Sequence, residues 1–126
     1  MTLVLDAGAF VDVERGDREL AARIKAERRR GSAPVTHGAV VAQVWRGGKA
    51  RQASLGALLD AIQVEPIDDQ LGRRTGVFLA RSRTSDVVDA ALVLLARDGD
   101  QILTSDPDDL CALAAVAGLN VEIVPV

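Results

Sequence analysis

The chain has 126 residues, with 18 acidic against 15 basic side chains and a formal charge of −3. That length suits a single domain over 1–126 with a core two or three layers deep, and the acidic balance argues against a generic polyanion-binding surface. One cysteine, Cys111, and one histidine, His37, exclude an internal disulfide, a Cys-rich zinc site and a dinuclear histidine site within one chain.

Leu3 to Leu5 reads as a short apolar strand closed by Asp6. Ala7 to Val13 reads as a short helix and Asp17 to Arg30 as a second, with Leu20 and Ile24 on its buried side at helical spacing. Arg28, Arg29, Arg30 and Gly31 suit the end of that helix, because cations favour its C-terminus and glycine permits a left-handed cap. Ala33 to Val35 is the second strand candidate, and Thr36 is placed to cap a helix running to about Arg46, where Gly47-Gly48 interrupts it. A helix over Gln52 to Ala61, a strand over Ile62 to Val64 and a helix opened by Asp68-Asp69 and running to about Leu79 follow. Thr84 or Ser85 can cap a helix starting near Asp86, whose apolar face continues through Ala90, Val93 and Leu94. Gln101 to Thr104 is a strand, Pro107 opens a helix that ends at Gly118, and Val121 to Val124 supplies the last strand. Strands alternating with helices predict a three-layer α/β/α domain around a parallel sheet of five strands. Only Phe10, Phe78 and Trp45 are aromatic, so Ala, Val and Leu must build the core.

Asp6, Asp86, Asp89 and Asp106 form the pattern that carries chemistry. If Leu5 and Thr104 lie side by side in a parallel sheet, Asp6 and Asp106 reach the same edge, and Asp86 and Asp89, three residues apart, share one face of a helix that starts there. Two like charges at about 4 Å repel by roughly 4 kcal/mol at intermediate dielectric, so such a cluster needs a cation or a captured proton. An all-oxygen set suits Mg2+, or Mn2+, better than zinc. The expectation is therefore metal-assisted phosphodiester hydrolysis, with Asp6, Asp89 and Asp106 as ligands and Asp86 as a ligand or water-orienting base. Thr104 and Ser105 are read as supports of the Asp106 loop or as donors to phosphate, and Asp108 and Asp109 as helix-start acids. Gly8 allows either close passage of substrate or a tight turn. His37 is read as an ordinary polar side chain, with general acid–base work as the alternative. Arg46, Lys49 and Arg51 form one basic stretch, and Arg73, Arg74, Arg81 and Arg83 another; Arg46, Arg51, Arg81 and Arg83 are the RNA-binding candidates. Leu20, Ile24 and Trp45 are the partner-binding candidates.

Three segments, Val4-Leu5-Asp6, Thr84-Ser85-Asp86-Val87-Val88-Asp89-Ala90-Ala91 and Leu103-Thr104-Ser105-Asp106-Pro107, resemble in order and spacing those of PIN domains. More narrowly they are similar to the VapC-like toxin ribonucleases of type II toxin–antitoxin systems. The resemblance implies strand order 3-2-1-4-5, Mg2+- or Mn2+-dependent endoribonuclease activity, a homodimer and inhibition by a cognate VapB-like antitoxin. It implies cleavage by activated water that leaves a 5′-phosphate and a 3′-hydroxyl, and DNA contact only through the antitoxin complex. Asp6, Asp86, Asp89 and Asp106 match its acidic positions, while Gln43 stands where the family commonly has a glutamate. An amide supplies neither the charge nor the basicity of a carboxylate, so a noncatalytic PIN-like antitoxin- or RNA-binding regulatory module is the alternative. A response-regulator-like phosphoacceptor is disfavoured, because Lys25 and Lys49 are the only lysines and neither follows a late strand. No stretch reaches the roughly 20 apolar residues that span a bilayer, so a cytoplasmic protein is expected.

Overall fold

The computed structural model describes residues 1–47 and 50–126, with the side chain of Arg51 excepted. Gly48, Lys49 and the RNA-binding candidate side chain of Arg51 thus lie outside the described residues. Along the chain run β1 (Leu3–Leu5), α1 (Ala7–Glu14), α2 (Arg18–Arg29), β2 (Val35–His37), α3 (Gly38–Val44) and, after a 3-10 turn at Ala50–Gln52, α4 (Ala53–Asp60). They are followed by β3 (Gln63–Glu65), α5 (Asp69–Ser82), α6 (Val87–Leu95), β4 (Gln101–Thr104), α7 (Pro107–Ala117) and β5 (Glu122–Pro125).

The five strands form one all-parallel sheet in the order β3-β2-β1-β4-β5. Helix α1 packs against α2, α3 and α4, while α5, α6 and α7 pack together, giving the expected three-layer α/β/α arrangement. Central strands in such a sheet are covered on both faces and must be apolar throughout. Leu3, Val4, Leu5, Ile102 and Leu103 are accordingly fully buried. The edge strands β3 and β5 carry exposed positions instead.

Strand β1 sits between β2 and β4, so the chain leaves its C-terminal end toward one side and that of β4 toward the other. Parallel sheets open a crevice at such a switch point. Leu5 pairs with Leu103 across it, which brings the residues after β1 and after β4 to one edge.

Several boundaries differ from the sequence reading for local reasons. Thr36 lies within β2 and donates its hydroxyl to the Leu5 carbonyl oxygen at 2.7 Å, so His37, not Thr36, caps α3. Helix α3 ends at Val44, where Trp45 turns extended. Asp86, not Thr84 or Ser85, is the N-cap of α6, because its carboxylate takes the Asp89 N–H at 3.0 Å. Helix α5 continues to Ser82 and stops at Arg83, which is left-handed at φ 57°. Strands β2, β3 and β5 start later than expected, at Val35, Gln63 and Glu122. No helix among the described residues is long and apolar enough to cross a membrane.

Candidate metal centre

Asp6 directly follows β1 and is the N-cap of α1. One carboxylate oxygen accepts the Ala7 N–H at 2.8 Å, and the other accepts the Thr104 hydroxyl at 2.6 Å. The same Thr104 oxygen accepts the Asp106 N–H at 3.0 Å. One fully buried hydroxyl therefore ties the turn after β4 to the carboxylate after β1. That is the supporting role expected of Thr104, and it fixes two acids to each other by a bonded path.

Gly8 tightens the same junction. A Cβ there would stand 2.8 Å from both Cβ and Oγ of Ser105 and 3.0 Å from its backbone nitrogen, closer than real Cβ contacts come. The glycine is needed for close approach of α1 to the Ser105 turn, a packing reason that neither of the two sequence readings gave. Ser105 thus packs closely against Gly8 at this junction.

Asp86 and Asp89 enter from α6. Asp86 is exposed and spends one oxygen on capping, and the other has no hydrogen bond among the described residues. Asp89 is only 9% exposed, and among the described residues no hydrogen bond engages its carboxylate. Burial, followed by repulsion from Asp86, Asp6, Asp106 and Asp109, pushes its pKa from 3.8 up to about 7. These four carboxylates are therefore within electrostatic reach of Asp89. The described ion pairs, Glu27 with Arg30 and Asp69 with Arg73, lie elsewhere. Asp106 occupies the N-cap position of α7 without making a side-chain cap bond, and its carboxylate has no hydrogen bond or ion pair among the described residues.

His37 is the residue that spacing alone did not reveal. It is fully buried, and its Nδ1 accepts the N–H groups of Ala39 at 3.2 Å and Val40 at 3.4 Å. That assigns the proton to Nε2, which donates to the Val88 carbonyl oxygen at 2.9 Å. The ring thus bolts the end of β2 to the first turn of α6, one residue before Asp89. Burial lowers its pKa against the raising effects of Val88 and Asp6, so the imidazole is neutral and leaves the acidic charge uncompensated.

The remaining candidates are dispersed. Gln43 is exposed on α3, and no hydrogen bond among the described residues joins it to the aspartates. Arg46, two residues past α3, folds back on the helix end by donating to the Ala42 and Trp45 carbonyl oxygens. Arg81 lies over the Phe78 ring and donates to the Val116 carbonyl oxygen, and Arg83 is exposed at the end of α5. Leu20 and Ile24 are core residues, whereas Trp45 is 37% exposed and its ring lies over Gly56.

The donor set is all carboxylate oxygen, which suits a hard divalent cation. Among the described residues, however, no three acidic, histidine or cysteine side chains stand in ligand-forming geometry. The acids share an edge and a field rather than a preassembled cage, as expected of like charges without a counterion. Compared with models of protein families and with curated proteins, the chain matches none.

Proposed function

We propose that the chain is a divalent-metal-dependent endoribonuclease of the PIN-domain, VapC-like kind, restrained by a VapB-like antitoxin. The observation that carries this reading is the junction of Asp6, Thr104 and Asp106 beside a buried Asp89 whose charge no cation among the described residues offsets. Asp6, Asp89, Asp106 and Asp86 are the residues that would hold Mg2+ or Mn2+. Bound there, the ion would polarise a phosphoryl oxygen and acidify a water.

The chain's own groups have separable tasks in this reading. Each Asp6 oxygen uses one lone pair on a hydrogen bond and keeps another for a ligand. Asp106 offers an unspent carboxylate from the opposite side of the switch point. The free oxygen of Asp86 can orient the attacking water and accept its proton, while the neutral His37 holds Asp89 in place.

For the inhibitor, a cleft of ≈ 370 Å³ between the α1–α2 pair and α4 has Val13, Ala21, Ile24 and Leu58 on its apolar lining and Arg18 and Lys25 among its polar residues. Such a groove suits an amphipathic segment with acidic side chains. A homodimer belongs to the same proposal.

Sequencing the 5′ ends released from total RNA, with and without Mg2+, tests this reading. Wild type should create discrete Mg2+-dependent 5′-phosphate ends, and Asp6→Asn should not. A second reading, a noncatalytic RNA- or antitoxin-binding module, draws on the exposed, neutral Gln43. It requires no cleavage by wild type and RNA or antitoxin binding that is indifferent to both Mg2+ and Asp6→Asn.

A further inference from the structure

Beside Asp86 and Asp89 a cleft of ≈ 320 Å³ opens between the α5–α6 connection and α7. Its two sides differ chemically. Ala112, Leu113 and Val116 follow Asp109 at helical spacing and line one side with apolar groups, while Ser82, Thr84 and Ser85 bring hydroxyls to the other. Asp89, nine-tenths buried and with its carboxylate free of hydrogen bonds among the described residues, also lines it.

We propose that this cleft takes one nucleobase bearing an exocyclic amino group, beside the phosphodiester handled by Asp6 and Asp106. The identity of the ligand rests on the nuclease reading. Among the described residues the lining holds three carboxylates and no cationic side chain, so away from a bound metal ion the phosphate of a substrate is repelled from it and the uncharged part is not. A base has apolar ring faces and polar edges, matching a cleft with an apolar side and a hydroxyl side. The volume lies near the lower end of the range of about 300 to 1,000 Å³ for small-molecule sites, which suits one ring system. Ionised carboxylates only accept hydrogen bonds. Asp109, exposed at the rim, therefore favours the amino group of cytosine, adenine or guanine over the corresponding carbonyl of uracil.

The test is an NMR titration with free cytidine and uridine in metal-free buffer, using wild type, Asp109→Asn and Ala112→Phe. Ala112 is exposed, so the larger ring fills the cleft without entering the core. In wild type, cytidine should perturb amides of residues 82–86 and 109–116 and bind about tenfold tighter than uridine. Asp109→Asn should bring the two affinities together, and Ala112→Phe should abolish both while leaving the remaining spectrum unchanged. Equal affinities in wild type, no perturbation of these amides, or binding that survives Ala112→Phe would overturn the assignment. RNA cleavage with no preference for cytosine, adenine or guanine over uracil would sink the cleft alone, whereas cytidine binding without any RNA cleavage would remove the nuclease reading and leave the cleft.

Discussion

Asp100 and Asp89 are nearly equally buried, at 7% and 9% exposed, yet they sit at opposite ends of the sheet in opposite conditions. Just before β4, Asp100 accepts the Thr2 N–H at 2.8 Å on one oxygen and the Arg97 N–H at 2.9 Å on the other. Asp89 accepts nothing among the described residues and faces four other acids. A buried carboxylate with both oxygens engaged holds a turn together. One left unengaged among like charges costs stability, and that cost is understandable if a cation completes it.

Exchanging each acid for its amide separates the two ends most sharply. Asp6→Asn and Asp89→Asn should each lower RNA cleavage at least about a hundredfold, a loss of roughly 2.7 kcal/mol of transition-state stabilisation, with the circular dichroism spectrum retained. Asp100→Asn should leave cleavage nearly intact and lower unfolding stability by about 1–3 kcal/mol, because an amide donor then opposes a backbone N–H. The reverse pattern would remove the distinction between a structural and a functional end.

Close approach at the site supplies the next largest effect. Gly8→Ala forces Ser105 away and should cost about 1–3 kcal/mol in a denaturant melt, with weaker Mn2+ binding because Asp6 and Asp106 separate. If stability falls while Mn2+ affinity is unchanged, the junction is structural only.

Protonation of Asp89 gives a smaller, signed effect. Its pKa is raised from 3.8 to about 7 in the fold, so the folded state holds the proton more tightly than the unfolded chain does. Its contribution to stability is fully present below 3.8 and is lost as pH rises to about 7. In metal-free buffer this should lower stability by roughly 1–2 kcal/mol, allowing for screening by water at the mouth of the site. Asp89→Asn should flatten this part of the pH–stability curve, and Asp100→Asn should not.

His37→Asn tests the bolt between β2 and α6. Asparagine can still cap α3 but falls short of the Val88 carbonyl, so about 1 kcal/mol of stability should be lost. Mn2+ affinity should fall several-fold through Asp89. His37→Gln, which places its amide near the former Nε2, should recover part of that affinity.

The parallel α/β/α architecture was legible because short apolar runs alternate with amphipathic helices, and the acids at Asp6 and Asp106 each close such a run, whereas the strand order came only from the resemblance to PIN domains. Boundaries slipped where a side chain chose between two backbone partners. Thr36 bonds across the sheet to Leu5 instead of capping forward, and Asp86 caps the helix that Ser85 also could have. The acid positions were visible from spacing. The linkage through Thr104, the contact that makes Gly8 necessary and the bridge made by His37 were not, since each joins segments distant in the chain.

The central claim is that Asp6, Asp89 and Asp106 share one divalent cation, and Mn2+ binding followed by electron paramagnetic resonance measures it directly. Wild type should bind Mn2+ with an affinity that Mg2+ competes away. Asp6→Asn, Asp89→Asn and Asp106→Asn should each weaken binding at least tenfold, about 1.4 kcal/mol, and Asp100→Asn should not. Mn2+ binding that is absent from wild type, or that is equally strong in all four variants, would contradict the account.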